Sequence, residues 1–134
     1  MIAGIGCDLS AIDRWNNEAM RNRIMLRWFD PRERDYVNGR GKMAGASAAG
    51  IFAAKEALAK ALGCGIGPVR LEEIAVLHTP QGAPCYELRG DTLALCRQMG
   101  IRRLHLSISH DGGQAMAFCV AEKDPCKEEP CPDL

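Results

Sequence analysis

Glu56 and Lys60 stand four residues apart in the run Phe52-Ala53-Ala54-Lys55-Glu56-Ala57-Leu58-Ala59-Lys60-Ala61. Alanine, leucine, lysine and glutamate are strong helix formers, so the run is predicted to be helical. On a helix, Ala49, Phe52, Ala53, Glu56 and Lys60 share one side. A carboxylate and an ammonium group on a face of small and apolar residues suit a polar site packed against other protein. The same spacing also suits a surface ion pair, worth only about a few tenths of a kcal/mol. Asp8 is the second candidate, at the end of Gly4-Ile5-Gly6-Cys7-Asp8. Glycine weakens a strand and often marks close approach by a ligand or another backbone. Asp8 or Ser10 would equally serve as a cap for a following helix. His110 is the third, next to Ser109 and a tight turn. It is placed either to bind an anion or simply to hydrogen-bond a backbone carbonyl.

The elements that must position these groups follow from period and punctuation. Residues 2–9 alternate as a strand, with Ala3, Ile5, Cys7 and Leu9 on one face and Ile2, Gly4, Gly6 and Asp8 on the other. Residues 11–38 read as helical pieces broken at Asp30-Pro31, where proline suits a first helical turn. A long helix is expected over 42–62. Gly45, Ala46, Ala48, Ala49 and Gly50 thin its first half, and Gly63-Cys64-Gly65-Ile66-Gly67-Pro68 ends it. Residues 74–78 and 85–89 read as strands around the turn-rich Thr79–Pro84, and 91–99 as a short helix. A hairpin is expected from 102–110 and 114–122 around Asp111-Gly112-Gly113, with Leu104, Leu106, Ile108 and His110 on one face. The result is an α+β domain without repeats or an internal linker.

Composition narrows the function classes. A chain of 134 residues, 47% of them hydrophobic, has material for one modest core. Seventeen basic and seventeen acidic residues cancel, so bulk attraction to nucleic acid or membrane is not expected. Residues 14–42 nevertheless hold eight basic groups against four acidic ones, which suits an acidic partner or a phosphorylated ligand. Seven cysteines without a CxxC pair predict free thiols in a reducing, cytoplasmic setting. No stretch reads as a signal peptide or as a membrane span. The domain is expected over 1–122, with 123–134 as a disordered Pro- and Glu-rich tail.

Gly4-Ile5-Gly6-Cys7-Asp8, Phe52-Ala53-Ala54-Lys55-Glu56 with Lys60, the Gly63–Gly67 turn and Ser107-Ile108-Ser109-His110-Asp111 occur in one order and spacing. Together with Gln81-Gly82-Ala83-Pro84 they resemble the holo-acyl-carrier-protein synthase family, small bacterial 4′-phosphopantetheinyl transferases. The resemblance runs from Met1 to about Glu122. It implies that family's fold, an antiparallel sheet packed against a long central helix. It also implies transfer of 4′-phosphopantetheine from coenzyme A to a serine of apo-acyl-carrier protein, in support of fatty acid biosynthesis. By position in the family, Asp8 and Glu56 would hold Mg²⁺ and, with Lys60, form the catalytic group. Lys60, Gly63, Gly65, Gly82, Pro84, Ser109 and His110 would contact coenzyme A.

The resemblance further assigns Arg14, with Arg21 and Arg23 beyond it, to docking of the acidic carrier protein. It implies a homotrimer with active sites between subunits, where Asp8 and Glu56 meet a neighbour's His110. Whether a carboxylate or a metal-bound water takes the serine proton stays open. One departure stands out. Ile51 and Met43 occupy positions where the family commonly carries arginine, which predicts weakened coenzyme A binding or a shifted pose. Arg40 or Lys42 could reach in from the preceding loop. The alternative function is a weakened homologue that binds carrier protein or nucleotide without efficient transfer.

Overall fold

Alternation and helical punctuation translate into ten elements in a computed structural model, which describes residues 1–64 and 67–125. They are β1 (Ile2–Ala11), α1 (Asp13–Asn16), α2 (Glu18–Trp28), α3 (Pro31–Asn38), α4 (Ala44–Ala61), β2 (Ile74–His78), β3 (Pro84–Leu88), α5 (Gly90–Gln98), β4 (Ile101–Asp111) and β5 (Gln114–Lys123). A three-stranded antiparallel sheet has the order β1-β5-β4, and β2-β3 form a separate hairpin. The expected α+β architecture, an antiparallel sheet packed on a long helix, is the one observed. Gly65 and residues 126–134 of the expected tail lie outside the described residues, while β5 extends through Lys123.

The β4-β5 turn forms because Gly112 and Gly113 both take positive φ, +56° and +76°. That pair of values is the two-residue hairpin turn whose twist matches the flanking strands. The register then places Ile108 opposite Ala117, and Ala117 opposite Asp8 on the far side. Small residues at Ala115, Ala117, Cys119 and Ala121 make the inner sheet face flat, and α4 lies against it.

Helix α4 is buried nearly all round, as expected of a helix whose interior positions are Ala, Gly, Ile, Phe and Leu. It is shorter at its start than the sequence suggested. Gly41–Met43 form a tighter 3₁₀ turn, and the α-helix begins at Ala44. Gly63, at φ +74°, ends it as expected. Trp15, Phe29 and Phe52 form an aromatic cluster at one end of the core, with Trp15 5.3 Å from Phe52 and 5.9 Å from Phe29 between ring centroids.

Neither Asp8 nor Ser10 caps a helix. Pairing with β5 carries β1 on to Ala11, so both lie inside the strand. Ser10 is buried and its hydroxyl accepts from Trp15 Nε1 at 3.0 Å, tying α1 to the sheet. The apolar face of β1 is also turned the other way from a simple core reading. Gly4, Gly6, Asp8 and Ser10 face α4, while Ile5 and Leu9 point outward at 59% and 62% exposure.

Candidate functional site

The site is built where β1 crosses α4. A side chain at Gly4 would overlap the Ala61 carbonyl, and one at Gly6 the Ala57 carbonyl. The two glycines therefore serve close approach by another backbone, the second of the alternatives their presence suggested. This close crossing brings the next residue on that face, Asp8, to the side chains of α4. Lys60 Nζ donates to Asp8 Oδ1 at 2.9 Å and to the Cys7 carbonyl at 3.0 Å. Glu56, one turn earlier, lies within hydrogen-bonding reach of Asp8. Three residues separated by up to 52 positions thus meet, as the sequence reading required.

Electrostatics at this cluster are not those of a surface pair. Burial first, and then the hydrogen bond and charge of Asp8, push the Glu56 carboxyl up to about 7. Arg14 and Lys60 act in the opposite direction. Asp8 holds Lys60 above its ordinary value. Asp8 Oδ2 is buried and has no hydrogen-bond donor. Two carboxylates so placed require either a shared proton or a cation. The donor set fits Mg²⁺, which takes one or two carboxylates and completes its shell with water and substrate phosphate. Among the described residues no group of three or more His, Cys, Asp or Glu side chains gathers as an all-protein metal cage.

A second group of expected residues assembles elsewhere. Gly82, Pro84 and His110 line a cavity of ≈ 220 Å³ on the β4 side of α4, together with Tyr36, Arg40, Met43, Ser47, Ile51 and His78. His110 Nε2 is 2.9 Å from the Ala46 carbonyl oxygen, so its carbonyl-bonding alternative is realised while its ring still borders the cavity. Gly50 permits this, because a Cβ there would stand 3.1 Å from His110 Nε2. Asp8, Glu56 and Lys60 are not among the residues lining this cavity, and neither is Gly63. Ser109 is exposed on the outer sheet face opposite Met116, since adjacent strand residues point to opposite sides.

The three docking candidates also differ. Arg14 is exposed and its guanidinium lies 5.1 Å from the Phe52 ring centroid and 5.3 Å from that of Trp15. Arg23 is exposed on α2. Arg21 is partly committed to the fold, donating from Nη1 to the Trp15 carbonyl at 2.9 Å.

Sequence reasoning missed Lys55. It is fully buried, with Nζ donating to Glu33 Oε1 at 2.8 Å, to the Leu71 carbonyl at 3.1 Å and to the Ile74 carbonyl. Ile51, Leu58 and Ala59 surround it at helical spacing, a signal that it points inward rather than to solvent. Glu33 also accepts from the backbone N–H groups of Asp30 at 2.9 Å and Val76 at 3.0 Å. Burial pushes the Glu33 carboxyl up and the Lys55 ammonium down. Three donors on the one and three acceptors on the other are the partners of the ionised pair. The pair ties α4 to α3 and β2 at the residue next to Glu56.

Comparison with known proteins gives the chain a family. The sequence profile described as the 4′-phosphopantetheinyl transferase superfamily matches residues 4–121. The holo-[acyl-carrier-protein] synthase of Beutenbergia cavernae is 44% identical over 124 residues, covering 92% of this chain and 100% of that one. The crystal structure of holo-[acyl-carrier-protein] synthase from Neisseria meningitidis superposes with a TM-score of 0.82 at 35% identity, over 92% of this chain and 100% of that one. The Bacillus anthracis synthase, solved in complex with CoA (3′,5′-ADP), has a TM-score of 0.76 at 35% identity, covering 92% of this chain and 99% of that one. The chain therefore belongs to the 4′-phosphopantetheinyl transferase superfamily, as an enzyme of the holo-acyl-carrier-protein synthase type.

Proposed function

We propose that this chain transfers the 4′-phosphopantetheine group of coenzyme A to a serine hydroxyl of an apo-acyl-carrier protein, with Mg²⁺, in the cytoplasm and in support of fatty acid synthesis. The observation that carries the reading is the meeting of Asp8, Glu56 and Lys60 at the β1–α4 crossing. In the reaction the serine oxygen bonds to the β-phosphorus of coenzyme A. The bond from that phosphorus to the bridging oxygen breaks, and adenosine 3′,5′-bisphosphate leaves with the electron pair. Asp8 and Glu56 would hold the Mg²⁺, which when bound supplies neutralisation of the pyrophosphate charge. Lys60, half-exposed and anchored by Asp8, presents its ammonium group to a phosphate oxygen and stabilises charge on the leaving group. The serine proton passes to a carboxylate or to water at this cluster. Five free cysteines among the described residues fit a reducing compartment.

Two observations support a homotrimer with sites shared between subunits. The carboxylate cluster and the His110 cavity occupy different sides of α4, an arrangement in which a neighbouring copy would bring the two together. The outer sheet face also exposes Ile5, Leu9, Met116 and Phe118, a patch typical of subunit contacts.

Incubation of the protein with Mg²⁺, coenzyme A and an apo-acyl-carrier protein should add the mass of one phosphopantetheine to the carrier. Sedimentation equilibrium of the protein alone should give three times the chain mass. An unmodified carrier would overturn the reaction, and a monomer that transfers at full rate would overturn the shared sites. The alternative of a homologue without efficient transfer draws on Met43 and Ile51, uncharged where they line the cavity. It would be supported by coenzyme A binding without mass gain.

Arg14 is placed to meet the acidic carrier because its charge is exposed beside Glu56. Arg14→Glu should slow carrier modification by about tenfold at low salt and by less at high salt, as screening shortens the range of the charge. A salt-independent rate equal to that of the unsubstituted protein would remove Arg14 from the docking surface.

A further inference from the structure

Among the described residues, the cavity beside His110 holds a single permanent charge. Of its described lining residues only Arg40 carries one, since a guanidinium stays protonated throughout the ordinary pH range. Met43 and Ile51 contribute none. Burial first, and then the charge of Arg40, hold His78 below its ordinary value, so at neutral pH its ring is uncharged. Whatever anionic group enters this cavity has one fixed cation to meet.

That cation is held in place by aromatic packing. The Arg40 guanidinium lies 5.4 Å from the centroid of the Tyr36 ring. Tyr36 in turn stacks on His78, with centroids 4.1 Å apart and planes 14° from parallel. Arg40 Nε donates to Ser47 Oγ at 3.4 Å, a long bond that leaves the two Nη groups uncommitted. Among the described residues no carboxylate forms an ion pair with Arg40. An arginine spread on a ring, with its Nη donors uncommitted and no ion-pair partner among the described residues, is arranged for bidentate contact with a phosphate. Tyr36 and His78 come from α3 and β2, so two separate elements fix one side chain.

We propose that Arg40 is the phosphate-binding cation for the nucleotide end of coenzyme A in this chain, with Tyr36 as its positioning residue. The assignment rests on coenzyme A being the substrate. It means that the charge missing at Met43 and Ile51 is supplied from the loop before α4, by a side chain leaning across an aromatic pair.

The test reads binding and turnover separately. In calorimetry with adenosine 3′,5′-bisphosphate, Arg40→Ala should weaken binding by about tenfold or more, the size expected for loss of a charge-assisted bidentate contact. The KM for coenzyme A should rise to a similar extent, with kcat within about threefold. Arg40→Lys should recover only part, because an ammonium group is a point charge. Tyr36→Ala should weaken binding, whereas Tyr36→Phe should retain it, since the ring face carries the guanidinium. Met43 is 51% exposed at the same cavity, so Met43→Arg in the Arg40→Ala background should restore binding. Bisphosphate affinity and coenzyme A KM within twofold of the parent in Arg40→Ala would overturn the assignment while leaving the transfer reaction intact. A parent protein that neither binds coenzyme A nor modifies the carrier would overturn both.

Discussion

Replacement of Glu56 by glutamine is expected to lower phosphopantetheine transfer by about 10²–10³-fold, the loss typical when one preorganised electrostatic partner is removed from a reacting centre. The cause lies in the Asp8–Glu56 pair. Asp8 Oδ2 is buried without a donor, and Glu56 is held up to about 7 by burial and by Asp8, so the two carboxyl groups are set to share one positive partner. Glutamine keeps the size of the side chain and removes the charge that partner needs. Asp8→Asn should act in the same direction and also release Lys60, whose ammonium group now anchors on Asp8 at 2.9 Å. Carrier mass measured over time checks both variants, and full activity in both would sink the metal assignment.

The same pair has a readout that does not involve turnover. Glu56 has a folded-state value of about 7 against an ordinary 4.5. A carboxyl raised on folding contributes stability that is fully present below about 4.5 and is lost as pH rises through about 7. Metal-free protein should therefore lose thermal stability across that interval, and Glu56→Gln should flatten the loss. A melting temperature with the same pH dependence in both proteins would show that Glu56 titrates as an ordinary carboxyl.

The largest stability change is expected at Lys55. Lys55→Met leaves the Glu33 carboxylate in the core with two backbone donors and no counter-charge. Removing one partner of a buried ion pair costs about 3–5 kcal/mol. For a domain of this size that corresponds to a fall of about 10–20 °C in melting temperature. Lys55→Met combined with Glu33→Gln should lose less than Lys55→Met alone, because no uncompensated charge remains. Chemical denaturation measures both. A cost below about 1 kcal/mol for the single variant would mean that water or a proton already neutralises Glu33 in the folded protein. Transfer should fall with stability here, since Lys55 links α4 to α3 and β2 at the residue next to Glu56.

Local chemistry made a large part of this molecule legible. The exit of α4 follows from Gly63, and the β4-β5 hairpin from Gly112-Gly113, because positive φ is open to glycine at no steric cost. The i, i+4 spacing put Glu56 and Lys60 on one helical face, and the small residues before Asp8 marked a place where something comes close. Those signals depend on neighbours a few residues away, which is the range over which backbone geometry acts.

What occupied that close approach was decided only by the packed structure. Gly4 and Gly6 admit the backbone of α4, and the expected site residues separate into a carboxylate cluster and a cavity on different sides of that helix. The apolar alternation of β1 did not say which face looks outward, since a strand with small residues inside reads the same as one with Ile5 and Leu9 inside. Lys55 and Glu33 are 22 residues apart, and Tyr36 meets His78 from another element. Arg40 gains its direction from that aromatic pair and not from its own neighbours in the chain. Local residue patterns set the kinds of element and the chemical groups available. The tertiary structure alone decided which groups became buried and which faced a common space, because burial and long-range charge depend on contacts that no local pattern encodes.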